Sequence, residues 1–187
     1  RQMCIRDRDG SDPSTSSTKY SEAILVSTTT VIKFFSEDQF GNKEEINTIS
    51  IQIDKQAAES EATVATGTYN TTQTVELKIK NNEEGKIYLT TDGTDPNINL
   101  GVYDQPIQVS ETTTIKFFSV DLAGNQESIK QVVITIDKVV PVVSADVSSG
   151  TYKDNQKITI TSSKEATIFY SDDGSEPTKN STRYSTC

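Results

Sequence analysis

The sequence contains no histidine and no tryptophan, one methionine and two cysteines in 187 residues. Without imidazole there is no Ser-His-Asp triad, no Cys-His dyad and no histidine metal site. Two cysteines make neither a four-cysteine zinc site nor a dense disulfide scaffold. No apolar run approaches the ~20 residues of a membrane-spanning helix. Basic residues are outnumbered: 18 Lys and Arg against 27 Asp and Glu give a net charge of −9. Such acidity argues against nucleic acid, whose backbone needs clustered Lys and Arg. At ~150 residues per domain, the length suits one or two domains.

What is present is a repeat. Asp9-Gly10-Ser11-Asp12-Pro13 returns as Asp92-Gly93-Thr94-Asp95-Pro96 and again as Asp173-Gly174-Ser175-Glu176-Pro177. Phe34-Phe35 returns as Phe117-Phe118, Gly41-Asn42 as Gly124-Asn125, and Gly67-Thr68-Tyr69 as Gly150-Thr151-Tyr152, each 83 residues on. Aligned without a gap, 9–54 and 92–137 share 23 identities in 46 positions. From Asp92 to Asp173 the offset is 81, so two residues are lost between Tyr152 and Asp173. The phase of the repeat divides the chain into the C-terminal half of one unit (9–54), a complete unit (55–137) and the N-terminal half of a third (138–187). The expected context is a longer tandem array. Arg1-Gln2-Met3-Cys4-Ile5-Arg6-Asp7-Arg8 breaks the pattern that Ile87–Thr91 and Ile168–Asp172 follow. It resembles translated adapter read-through, is expected to be non-native, and is set aside from the fold. Cys187 is read in the same way, and no Cys4–Cys187 disulfide is inferred.

Within the complete unit the apolar residues alternate. Val75, Leu77 and Ile79 are interleaved with Glu76 and Lys78, and Val132, Ile134 and Ile136 with Val133 and Thr135. A period of two is the mark of strands with one buried face. Thr112 to Val120 is rich in Thr, Ile and Phe, which favour strands. Its core face is ambiguous, because Ile115/Phe117 and Phe118/Val120 point to opposite sides. Turn signals at Asn81-Asn82, Asp92-Gly93 and Ala123-Gly124-Asn125 separate the runs. Six or seven short strands in 83 residues predict a two-layer antiparallel sandwich. The fold class expected is therefore all-β: tandem immunoglobulin-like antiparallel β-sandwich modules, one complete and two partial. The Asp137–Pro141 joint is expected to be stiffened by Pro141, whereas Lys55–Glu59, which lacks proline, is expected to bend freely.

The ordered run Gly67-Thr68-Tyr69, Ile87–Pro96, Thr112–Phe118 and Val120–Asn125 resembles the chitobiase/β-hexosaminidase C-terminal-type domain, also described as a GH29D-like β-sandwich. The resemblance implies an immunoglobulin-like fold and a non-catalytic accessory or spacer module, repeated in secreted and surface proteins of bacteria and archaea. It carries over no ligand and no binding residues.

Three candidate sites come from the residues themselves. Asp92 and Asp95 mimic the paired carboxylates of a glycosidase, but two carboxylates three residues apart in one turn cannot flank a sugar from opposite faces. The better reading is a structural turn of Asp92, Gly93, Asp95 and Pro96, matched by a second at Gly124 and Asn125. Asp121 and Asn125, with Asp92 or Asp95, offer oxygen ligands to Ca²⁺, although their spacing is not that of an EF-hand loop. Tyr88 and Tyr170 are the candidate sugar-stacking residues. Asn70-Thr71-Thr72 and Asn180-Ser181-Thr182 fit the glycosylation sequon.

The expected function is that of a non-enzymatic spacer or stalk module of a secreted or cell-surface multidomain protein. It has no cofactor beyond a candidate Ca²⁺. Its partners would be neighbouring domains of the same polypeptide, with no nucleic acid and no membrane span. The alternative is a carbohydrate-binding accessory module attached to a glycoside hydrolase, with polysaccharide as partner.

Overall fold

The computed structural model describes residues 3–7, 10–80 and 83–185, the first of these segments through its backbone. The expected Asn81-Asn82 turn, Asp9 of the first Asp-Gly turn and Cys187 lie outside the described residues, as do Arg1, Gln2 and Arg8 of the segment set aside above. The named elements are all strands, and the chain divides into two compact units, Arg1–Ile136 and Asp137–Cys187.

The first unit opens with the half-repeat. Its strands β1 (Met3–Asp7), β2 (Thr18–Lys19), β3 (Thr30–Glu37) and β4 (Asn47–Ile51) form one sheet in the order β2-β1-β3-β4. The complete repeat follows as β5 (Ser60–Ala62), β6 (Gly67–Tyr69), β7 (Gln73–Val75), β8 (Leu77–Ile79), β9 (Gly85–Thr90), β10 (Ile107–Val109), β11 (Thr113–Asp121) and β12 (Lys130–Ile136). One layer is the sheet β6-β12-β11-β9. Facing it are the pairs β10-β7 and β5-β8. Only Glu76 separates β7 from β8, and there the alternating run changes partner. This switch is why eight short strands appear where six or seven were expected. One pairing departs from the antiparallel expectation: β6 runs parallel to β12, with Gly67 opposite Ile134. The chain reaches β6 by crossing from the facing layer, so no hairpin constrains its direction.

The core lies between the two layers. Val75, Leu77 and Val109 come from one side, and Ile87, Ile115, Phe117, Val132 and Ile134 from the other. This settles the face of β11: Ile115 and Phe117 point inward. Phe118 points outward yet is only 1% exposed, because the Tyr88 ring lies over it at 5.4 Å and 22°. Both aromatic positions of the Phe-Phe pair are therefore buried, Phe117 in the core between the layers and Phe118 against the Tyr88 ring.

The segment set aside at the N-terminus requires a correction. Met3–Asp7 does not stand apart from the fold; it is strand β1 and pairs along β3, Asp7 opposite Lys33 and Met3 opposite Glu37. Moved 83 residues on, this is the register of β9 on β11, with Thr90 opposite Lys116 and Lys86 opposite Val120. Ladder hydrogen bonds use backbone groups that every non-proline residue carries. The place beside β3 can therefore be filled by a segment whose side chains break the repeat.

Gly85 begins β9 opposite Asp121. A Cβ built there would lie 2.6 Å from the Val120 carbonyl oxygen and 3.2 Å from Asp121 Cα, both backbone atoms of β11. Gly85→Ala is expected to push the strands apart and cost about 1–3 kcal/mol. Gly101→Ala, where a Cβ would meet nothing within 4 Å, is expected to stay within about 0.5 kcal/mol of the parent. Urea unfolding of the two variants checks the contrast.

The second unit contains two ribbons, β13 (Val143–Ala145) with β14 (Ile160–Ser162), and β15 (Ile168–Tyr170) with β16 (Thr182–Tyr184). Ile158 is 53% exposed, whereas its equivalent Val75 is fully buried. Within this unit no described strand takes the place of β11 and β12.

Candidate functional site

The Asp-Gly turns are closed by their own side chains. Asp92 Oδ1 accepts hydrogen bonds from the Thr94 amide at 3.0 Å and the Thr94 hydroxyl at 2.6 Å. Gly93 takes the positive φ of +81° that the turn demands. Asp173 repeats the pattern with the Ser175 amide and hydroxyl. The Thr94 and Ser175 bonds hold both carboxyls below the usual carboxylate range. Asp95 pairs with Lys116 at 2.7 Å, as Asp12 pairs with Lys33 in the half-repeat. Pro96 is buried behind the turn. Asp92 and Asp95 are thus each bonded within the turn architecture.

The second turn is built on Asp121, whose Oδ1 accepts the Asn125 amide and whose Oδ2 accepts the Asn125 side-chain N–H, both at 2.8 Å. Asp38 and Asn42 make the same pair of bonds in the half-repeat. Side-chain hydrogen bonding by Asn125 is the main cause holding the Asp121 carboxyl low, with burial opposing it. The two turns sit at opposite ends of β11: Asp92 bridges to Thr114, and Asp121 ends the strand seven residues later. At ~3.3 Å per residue this is roughly 23 Å. The joint oxygen set of Asp92 or Asp95 with Asp121 and Asn125 is therefore corrected, because no ion touches both ends of a strand that long.

The structure instead brings Asp121 close to Asp54 and Glu83, with carboxylate oxygens of the three within 4.8 Å of one another. They border a recess lined also by Gln52, Glu84, Leu122 and Ala123. Oxygens so spaced suit a hard cation, but Asp121 already has both of its oxygens bonded to Asn125. Sequence reasoning missed Asp54 and Glu83, which come from the segment before β5 and the β8–β9 connection. The sole signal in the sequence was that Asp54 recurs as Asp137.

The most developed polar constellation lies beside that recess. The Glu127 side chain is only 8% exposed. It accepts from the Ser119 amide at 2.8 Å, from the Ser60 amide at 3.1 Å, from the Ser60 hydroxyl, and from Lys130 Nζ at 2.9 Å. The Ser119 hydroxyl lies 2.7 Å from Glu127 Oε1 and 2.5 Å from the Ala58 carbonyl oxygen, sharing one hydrogen between them. Asn125 Nδ2 uses its remaining hydrogen on the carbonyls of Asp54 and Gln56, at 3.2 and 3.3 Å. Asp54, Gln56, Ala58 and Ser60 are alternate residues of one extended segment. The first three are held by side chains of β11 and the turn after it rather than by a backbone ladder, and Ser60, which begins β5, is held by Glu127 in addition to its pairing with β8. Ala58 is fully buried and Ser60 is 1% exposed. The expectation that Lys55–Glu59 bends freely is corrected: lack of proline left the segment's dihedrals open, and tertiary hydrogen bonds then fixed them.

The tyrosines separate by face. Tyr88 lies on the outer face of its sheet, half-buried on Phe118, with Val102 bridged to its backbone. The repeat places Phe169, not Tyr170, at the Tyr88 position. Tyr170 matches Leu89, which packs against the core. It meets Tyr184 edge to face at 6.4 Å, and Tyr184 matches the core-packed Tyr103. Tyr88 and Tyr170 therefore do not form equivalent platforms.

Among the described residues no helix is long and apolar enough to cross a membrane. The model of the family described as "Chitobiase/beta-hexosaminidase C-terminal domain" matches residues 8–48, 64–131 and 147–187. No curated protein matches the chain.

Proposed function

Because the chain belongs to the chitobiase/beta-hexosaminidase C-terminal domain family, we propose that it serves as a spacer, a run of non-catalytic β-sandwich modules carrying other domains of a secreted or cell-surface protein. The family is one of accessory domains rather than catalytic ones, and this coarser role is shared by every reading of the chain. The observation that carries the finer reading is the held segment 54–60. It fixes the chain between the half-repeat and the complete repeat, as a module whose task is reach and orientation requires. The acidic surface supports it as well, since like charges keep an extended array apart and in solution.

The competing reading, a carbohydrate-binding accessory module, is favoured by Tyr88, an aromatic on an outer sheet face beside Val102. A polysaccharide pull-down and glycan array on the full chain separate the two. The spacer reading expects no specific retention and no difference between the parent and Tyr88→Ala. Specific binding that Tyr88→Ala abolishes would replace it with the carbohydrate reading.

A further inference from the structure

The side chains that hold 54–60 form a motif, Ser119-x-Asp121-x-x-Gly124-Asn125-x-Glu127. All five residues recur 83 positions earlier as Ser36, Asp38, Gly41, Asn42 and Glu44. They also recur in geometry. Glu44 Oε1 accepts the Ser36 amide at 2.6 Å as Glu127 Oε1 accepts that of Ser119 at 2.8 Å, and Asp38 closes on Asn42 as Asp121 does on Asn125. What differs is cover. Ser119 and Asp121 are buried and Asn125 and Glu127 half-buried; Ser36 and Asp38 are half-buried and Asn42 and Glu44 exposed. The arrangement therefore forms without a strand lying across it, and the segment 54–60 docks on a surface its own module has already built.

The docked segment is also tied to the half-repeat it leaves. Lys55 Nζ donates to the Ser27 carbonyl at 2.9 Å, and Ile53 N to the Thr29 hydroxyl at 3.1 Å. Residues 53–56 are thus bonded to one module behind and another ahead.

We propose that the Ser-x-Asp-x-x-Gly-Asn-x-Glu motif is a strand-capture site. Its partner is the extended chain leaving the preceding module, gripped at alternate residues, and Asn125 is the side chain that sets the angle between the two modules. This rests on the spacer reading, to which it adds a mechanism for stiffness without proline. Glu127 and Ser119 hold Ser60 and Ala58, which lie inside the module. Asn125 reaches the Asp54 and Gln56 carbonyls nearest the joint, so its loss frees the joint and leaves the module intact.

The test is residual dipolar couplings on the full chain. In the parent, strands β3–β4 and β11–β12 share one alignment tensor. In Asn125→Ala the shared tensor is lost, the half-repeat aligns separately, and amide exchange at Gln56 speeds up. The resonances of Ile115, Phe117 and Ile134 stay in place, and Asn42→Ala, the same change in the half-repeat, leaves the shared tensor intact. A shared tensor that survives Asn125→Ala, or that Asn42→Ala breaks equally, overturns the proposal. Movement of the three core resonances does so too, since Asn125 would then hold the fold rather than the joint. The glycan array is a separate readout, so failure of the spacer reading is distinguishable from failure of the capture site.

Discussion

Phe117→Ala is expected to cost the complete repeat about 3–5 kcal/mol. The ring is 2% exposed and sits on the central strand β11 between the two layers. Removing it subtracts buried apolar area and leaves a cavity that strands on both sides cannot close. A domain of this size has a total stability of ~5–15 kcal/mol, so the variant would be close to unfolding at physiological temperature. Phe34 occupies the same repeat position in the half-repeat but is only half-buried. Phe34→Ala is expected to cost less, about 1–2 kcal/mol. The measurement is native-state amide exchange under increasing urea, followed at Ile115 and Ile134 for one variant and at Ile32 for the other. It keeps the two regions separate where a single melting curve would merge them. Equal losses at both positions would mean that the half-repeat is packed as fully as the complete one.

Glu127→Ala is expected to be the next most damaging change, about 2–4 kcal/mol, because buried donors left without acceptors cost ~1–3 kcal/mol each. The amides of Ser60 and Ser119 lose their partner together, and Lys130 loses its closest counter-charge. The carboxyl also gives the module an acid limb. Burial pushes its pKa up, but the Ser60 hydroxyl, Lys130 and Ser119 outweigh that, so the net direction is down. A folded pKa below the unfolded value of ~4.3 means stability present above that pH and lost as pH falls through the folded value. Melting of the parent is therefore expected to fall as the pH drops below about 4. Glu127→Gln should start lower at neutral pH and lose less on acidification, since it has no proton to take up. A variant that melts with the parent at neutral pH would show that Glu127 is not a fastener of β5 to β11.

Much of this was legible in the sequence for a physical reason. Strands with one buried face alternate with period two, so Val75-x-Leu77-x-Ile79 and Val132-x-Ile134-x-Ile136 announced their layers before any pairing was known. Turns demand particular backbone angles, so Asp-Gly and Gly-Asn marked where the chain reverses, and Gly10, Gly93 and Gly174 all take positive φ. The family followed from the order and spacing of those pieces.

The candidate site was less legible. Asp121 and Asn125 were picked out, but as half of an ion's ligand set with Asp92 and Asp95. Distance along β11, a quantity that exists only once the strand is extended, separates the pairs. Tyr170 was placed with Tyr88 by residue type, while the register sets it at the inner position of Leu89. Glu127 and Ser60 were not singled out at all. A glutamate and a serine 67 residues apart carry no local signature, and their bond exists because β5 folds back beside β11.

The sequence by itself determined the strands, the turns, the 83-residue period and the family, because those depend on short-range alternation and on backbone angles that particular residues permit. The tertiary structure alone decided which face of β11 is inside and which segment pairs beside β3. It also decided whether 54–60 bends or is gripped. Each of those depends on hydrogen bonds and contacts between residues far apart in the chain, where composition and spacing have no purchase.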